Sequence, residues 1–249
     1  MCQMFEFPFT QGILGIEDTM ELPSKQMRDL GYKVQNILID DRMDGDVSSR
    51  AQDALRVSLR MGESAIILGE VRGEEVATLY QSMRTGRAGS SIMGTMHGDS
   101  AKSIYERVVH DLGISPEAFM ATDFIVTMGT VKERGGLREA RRISEIMSTS
   151  DKAGRFVNMN GDISKSPAIR RICSGLSMSA EEAIDEIMVR ADMRSFLSEM
   201  ASKRGEEFLG PRWVVFANDY LAHQLGKGIR DRTEIVEGFK AAMTAAAEE

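Results

Sequence analysis

Ser64-Ala65-Ile66-Ile67-Leu68-Gly69-Glu70 is the stretch that decides the fold. It is a short, continuous apolar run with no polar residue alternating through it, as expected for a strand covered on both faces. Its Gly-Glu ending leaves a carboxylate just past the strand. Upstream, Gly12 to Ile16 reads as a strand running into Glu17-Asp18-Thr19-Met20-Glu21. Lys33 to Ile39 reads as another, followed by a polar, glycine-containing loop from Asp40 to Ser49. Ala51 to Met61 is helical, with Ala54, Leu55, Val57 and Leu59 as its apolar positions. Downstream, Gly73 to Thr85 is the next helix and Ser91 to Met96 the next strand. Ala101 to Leu112 is an amphipathic helix with Ile104, Val108 and Leu112 on one side. Strands alternating with helices in this way predict stacked βαβ units and an α/β fold.

Phe124 to Met128 and Ala140 to Ile146 read as later strands, joined by a basic turn around Arg134-Gly135-Gly136. Between Ser148 and Gly154 the composition shifts to small polar residues, which divides the chain into an α/β part, 1–150, and a mainly helical extension, 151–249. After a strand-like piece at Arg155 to Met159, helices are predicted over Pro167 to Gly175, Ser179 to Arg204 and Arg212 to Leu225. Ser179-Ala180-Glu181-Glu182 has the form of an N-cap followed by first-turn acids. The alanine-rich tail from Ala241 to Glu249 reads as frayed, and Trp213, the only tryptophan, as a core residue. Arg170, Arg171, Arg190 and Arg194 read either as partner-facing or as a solvated helix face.

The chain has 249 residues, 42% of them hydrophobic, enough to bury a core. Its net charge of -7 argues against a protein that coats nucleic acid or anionic lipid. Two cysteines, Cys2 and Cys173, make neither a disulfide scaffold nor a metal knuckle, so a reducing cytosol is expected. No apolar stretch approaches the roughly 20 residues that span a bilayer. The first residues do not form a signal peptide, so any membrane connection is expected to run through a partner.

In open α/β sheets, ligands sit beyond the carboxyl ends of the parallel strands. Glu17 and Glu21 follow the first strand, Glu70 ends the Ile66 to Gly69 run, and His97 ends the run from Ile92 to Met96. Neighbouring parallel strands would bring these groups to one edge. Phosphoryl transfer needs such a set: carboxylates for a magnesium ion's waters and the attacking water, and donors for the transferred phosphate. Taken singly, each has an ordinary explanation. Glu70 caps a following helix as readily, the acidic turn suits solvent, and a lone histidine is more often structural.

Taken together, the motifs resemble those of the type II/type IV secretion ATPases. Ile16-Glu17-Asp18-Thr19-Met20-Glu21-Leu22 resembles their acidic box, Gly69-Glu70-Val71-Arg72-Gly73 their Walker B motif, and Gly94-Thr95-Met96-His97-Gly98 their histidine box. The segments Ser82 to Ser91 and Tyr105 to Gly113 are most similar to the archaeal branch, which drives type IV pili and the archaellum. The resemblance implies a partial RecA-like P-loop NTPase sheet followed by a mostly helical C-terminal region. It implies that Glu70 positions the attacking water and shares magnesium with Glu17, that Glu21 acts through the ion's waters, and that His97 senses the γ-phosphate of ATP. Arg72, and one of Arg56 and Arg60 on the preceding helix, are the implied charge stabilisers, although a solvated helix face suits Arg56 and Arg60 equally. Arg84 and Arg87 are either phosphate contacts or part of a turn. The implied assembly is a homohexamer, peripheral at the cytoplasmic face of the membrane, that works on a polytopic membrane platform protein and needs no nucleic acid.

The family's Gly-x-x-x-x-Gly-Lys-Ser/Thr loop, whose backbone amides and lysine cradle the phosphates, does not occur in these residues. Gly226-Lys227-Gly228 lacks the leading glycine and the hydroxyl. The chain therefore reads as a C-terminal portion of a motor, inactive alone, with exposed sheet edges and a tendency to self-associate. The alternative is a non-enzymatic interaction or oligomerisation module of the same system. A RecA-like DNA motor is disfavoured by the acidic charge.

Overall fold

Four apolar runs lie side by side, although no two of them are adjacent in sequence. The computed structural model describes residues 2–39, 47–58, 64–73, 75–85, 91–132 and 139–248. Among these, β1 (Gly12–Glu17), α1 (Ser24–Asp29), β2 (Lys33–Leu38), α2 (Val47–Ser58), β3 (Ser64–Leu68), α3 (Glu75–Thr85) and β4 (Ile92–Gly94) follow in chain order. The strands form one sheet, order β2-β1-β3-β4, with every pairing parallel. Parallel neighbours require crossovers, and helices between the strands supply them. Ala65, Ile66, Ile67 and Leu68 are all buried, as the unbroken apolar run of β3 predicts.

The chain continues with α4 (Ala101–Glu106), which passes directly into a π-helical turn at Arg107–Asp111, so the helix expected over Ala101 to Leu112 is continuous but changes its hydrogen-bond pattern midway. Then come α5 (Pro116–Phe119) and three antiparallel strands, β5 (Phe124–Lys132), β6 (Glu139–Thr149) and β7 (Phe156–Asn158), paired in that order. Residues 134–136, read as the turn between β5 and β6, lie outside the described residues. The helices α6 (Pro167–Leu176), α7 (Ala180–Arg204), α8 (Pro211–Gly226) and α9 (Arg232–Ala246) complete the chain. The expected α/β class, a parallel sheet followed by a largely helical region, is the observed one.

Two compact units emerge, Phe9–Ile172 and Met1–Pro8 with Cys173–Glu249. β7 and the start of α6, both beyond residue 150, belong to the first. β7 is hydrogen-bonded to β6, and the buried Ser166 hydroxyl donates to that of Ser148 at 2.8 Å. The core of the first unit joins Ile16, Leu55, Ile66, Leu68, Val76, Val108 and Phe119. In the second, Met193, Leu197, Trp213, Leu221, Ile235, Phe239 and Met243 form a separate cluster, with Trp213 in the core as expected.

One expectation needs correction. The tail is not frayed: α9 runs to Ala246, and its Phe239 and Met243 are fully buried. At the other end of this unit's sequence, Met4 and Phe5 are buried, Glu6 pairs with Arg194 at 2.7 Å, and Asn218 donates to the Phe5 carbonyl. Arg170, Arg171 and Arg190 each pair with a nearby acid, the behaviour of a charged helix face.

Candidate functional site

At the carboxyl edge of the parallel sheet, the backbone ladder continues past the strands. The Gly69 amide donates to the Ile16 carbonyl at 2.8 Å, and the Val71 amide to the Thr95 carbonyl at 2.9 Å. The Thr95 hydroxyl adds a bond to the Gly69 carbonyl. A Cβ at Gly69 would stand 3.2 Å from Glu17 Cγ and 3.4 Å from the Ile16 carbonyl, so glycine lets the two strand ends close up. These contacts aim Glu70 and the residues after Thr95 toward one patch of the rim.

Glu70 and His97 meet there. His97 Nε2 lies 3.4 Å from Glu70 Oε1, and the Arg72 guanidinium donates to Glu70 Oε2 while standing 3.5 Å from Asp18. Arg72 thus bridges the carboxylates of two strand ends and offsets their mutual repulsion. The guanidinium beside Glu70 holds its carboxyl below the usual glutamate range, and the positive fields of Arg72, His97 and Arg107 act in the same direction. The Arg72 pKa is raised by the same pairing. Glu70 is half-buried, with 24% of its side chain exposed, whereas His97 is 86% exposed. The patch is therefore open to a solute, and its carboxylate is ionised at neutral pH.

The loop that carries Arg72 is fixed from behind. Glu75, the buried first residue of α3, accepts hydrogen bonds from the Arg72 and Gly73 amides, the latter at 2.9 Å. A carboxylate at that helix start is stabilised by the first-turn amides. Arg107, the first residue of the π turn, donates to the His97 carbonyl at 3.2 Å. Neither residue was singled out from the sequence. Glu75 carried a signal, an acid opening a helix beside an apolar strand end. Arg107 carried none, because only the fold brings residues ten apart together.

Glu17 departs from expectation. Its backbone sits at the rim, but its carboxylate is buried at 3% exposure and already satisfied. Oε1 accepts from the Glu21 and Leu22 amides at 2.9 and 2.7 Å, and Oε2 from Asn36 Nδ2 at 2.8 Å. A carboxylate with both oxygens so engaged holds the acidic turn against β2. Glu21 is exposed in that turn, and it is Asp18, expected only as part of a solvated turn, that reaches Arg72. Arg56 is exposed and pairs with Asp53 at 3.5 Å, so it behaves as part of a solvated face. Arg84 is exposed at the end of α3. Arg60 and Arg87 lie outside the described residues.

Among the described residues, no group of three or more acids, histidines or cysteines forms a metal cage. A magnesium ion held mainly by phosphate oxygens and water needs only one or two carboxylates, and Glu70 with Asp18 fits that demand. No helix among the described residues is long and apolar enough to cross a membrane.

The family model for type II/IV secretion system proteins matches residues 3–189, well over half of the chain. Similar curated proteins include the competence protein ComGA of Streptococcus pneumoniae, 26% identical over 107 residues, which cover 43% of this chain and 30% of that protein. Another is an uncharacterized protein of Methanocaldococcus jannaschii, 26% identical over 153 residues, 56% of each chain. The chain thus spans 30% and 56% of the lengths of these relatives. Among solved structures, the ATPase DotB of Legionella pneumophila is similar over 92% of this chain and 52% of its own, at 15% identity and a TM-score of 0.47. On the extent of the family match, this chain belongs to the type II/IV secretion system protein family.

Proposed function

We propose that the chain carries the hydrolytic edge of an ATP site in a motor for secretion or for pilus or archaellum assembly. The observation that supports this most is the meeting of Glu70, His97 and Arg72 beyond the ends of β1, β3 and β4. An ionised, half-buried carboxylate can orient a water molecule and accept its proton as the water attacks the γ-phosphate. His97 offers a donor to that phosphate, and Arg72 a guanidinium where charge builds up. Magnesium bound with ATP would supply charge neutralisation. Glu70 and Asp18 would receive its waters, and Glu17 and Glu21 would act by shaping the turn that carries Asp18. The amides that would cradle the phosphates are not among these residues, so nucleotide affinity of the isolated chain is expected to be weak.

The assembly that suits this reading is a homohexamer at the cytoplasmic face of a membrane, acting on a polytopic platform protein, and the archaeal pilus branch is the one whose motifs it resembles. The test is Glu70→Gln in a protein that also carries the phosphate-cradling loop. Hydrolysis should fall by about 10² to 10⁴-fold, the range for loss of a general base, with nucleotide binding retained. Undiminished turnover refutes the role. A second reading is a non-enzymatic module of the same system. Because the first reading expects only weak affinity of this chain, calorimetric titration at high magnesium-ATP concentration separates the two: weak, saturable binding supports the first, and no binding at all supports the second.

A further inference from the structure

The β5–β6 pair contains one register irregularity. Thr127 faces Glu145, but the next residue, Met128, faces Ile143, so Ser144 is an extra residue on β6. Side chains alternate between the faces of a strand, and one inserted residue sends everything beyond it to the opposite face. β5, which carries no inserted residue, keeps its alternation through this point and so marks the two faces. Ile125 and Thr127 are buried, whereas Met128 and the facing Ile143 are 60% and 57% exposed. In an unbroken strand Glu145 would share the outer face with Ile143, two residues away. The bulge puts it opposite Thr127 on the inner face instead, and a hydrogen bond of 2.8 Å between the Ser144 and Thr127 hydroxyls ties the bulge down.

From that inner face, Glu145 Oε2 accepts a hydrogen bond of 2.9 Å from the Ala101 amide, 44 residues earlier in the chain. Ala101 opens α4, and its amide is one of the helix-start donors without an intrahelical partner. The residues just before it, His97-Gly98-Asp99-Ser100, are moulded onto the same first turn. Ser103 Oγ accepts from the Asp99 and Ser100 amides at 3.1 and 3.0 Å, and Arg107 holds the His97 carbonyl. Gly98 lies so close to Ile104 that an added Cβ would stand 2.3 Å from its Cδ1. Whatever places the start of α4 therefore places His97.

We propose that Glu145 is a positioning residue for His97, and that the Ser144 bulge exists to aim it there. The link runs from the Glu145 carboxylate through the Ala101 amide and the Ser100–Ser103 turn to the His97 loop, and it sets the separation of His97 from Glu70. Its functional meaning rests on the hydrolytic role proposed above, but the geometry does not.

The experiment uses the full chain without nucleotide, so its failure is distinct from a failure of the ATPase reading. Backbone amide exchange at Ala101 and the imidazole NMR signals of the three histidines are followed in Glu145→Ala and Glu145→Gln. The His97 signal is assigned by its loss in His97→Asn. Glu145→Ala should speed Ala101 exchange about tenfold, as expected for loss of a hydrogen bond to a charged group. It should also shift the His97 signal and leave that of His223 in place. Glu145→Gln keeps a carbonyl oxygen that can accept from Ala101, so it should restore most of both effects. Unchanged Ala101 exchange overturns the proposal. So does faster exchange with a stationary His97 signal, which would reduce Glu145 to a helix cap, and so does a Gln variant indistinguishable from Ala. If the Ala variant does not fold, Glu145→Asp, one methylene too short to reach, carries the same expectations.

Discussion

Replacing Glu17 separates a structural carboxylate from a metal-binding one. In Glu17→Ala, three donors lose their acceptor: the amides of Glu21 and Leu22 and the Asn36 side-chain amide. Glu21 is exposed, so water can take over its amide, which leaves two partly or fully buried donors without a partner. At about 1–2 kcal/mol for each, the variant should lose about 2–4 kcal/mol, a large share of the 5–15 kcal/mol typical of a folded domain. Glu17→Gln should behave differently. Its carbonyl oxygen can keep both backbone donors, and its new NH₂ group then faces Asn36. The Asn36 Oδ1 atom is buried and has no hydrogen-bond partner among the described residues, so a flip of that amide would supply the acceptor. The Gln variant should therefore cost no more than about 1 kcal/mol. Urea unfolding followed by far-UV circular dichroism measures both, and amide exchange at Leu22 localises the effect. An Ala variant within about 0.5 kcal/mol of the parent, the range of an ordinary surface change, refutes the argument. Equal costs for Ala and Gln refute it as well, because a charge requirement would then outweigh the hydrogen-bond geometry.

Arg72→Ala should raise the Glu70 pKa toward the ordinary glutamate value, because the guanidinium is the leading cause of its depression. Since the folded-state pKa lies below the unfolded one, Glu70 stabilises the fold above the ordinary glutamate range and loses that contribution as pH falls through the depressed value. NMR titration of the Glu70 carboxyl reads this, and an unmoved value in Arg72→Ala would sink it. In the helical unit, Met243→Ala should cost about 2–5 kcal/mol, because the side chain is fully buried against the Phe239 cluster. A variant as stable as the parent in urea would restore the frayed-tail reading.

The parallel sheet was legible because β3 is apolar throughout and the segments around it alternate between short β-branched runs and helical periods. α1 and α9 were not. Six residues after Pro23 are too few to show a period, and the alanines of α9 hid the spacing of Ile235, Phe239 and Met243, whose burial comes from the helices they meet. The convergence of Glu70 and His97 was legible too, since both follow neighbouring strands whose ends must share an edge once the sheet is parallel.

Sequence alone thus determined which strands form, that β1 to β4 run parallel, and at which edge the polar residues gather, because hydrophobic period is a local property and the helices between those strands impose parallel pairing. Only the tertiary structure decided how each of those residues is used. Glu17 turned inward because two amides and Asn36 were waiting for it. Asp18 rather than Glu17 reached Arg72, and Glu145 came to the His97 loop through a single extra residue in β6. The Asn36 bond to Glu17 and the Ala101 bond to Glu145 join segments 19 and 44 residues apart, and no short window of sequence contains both partners.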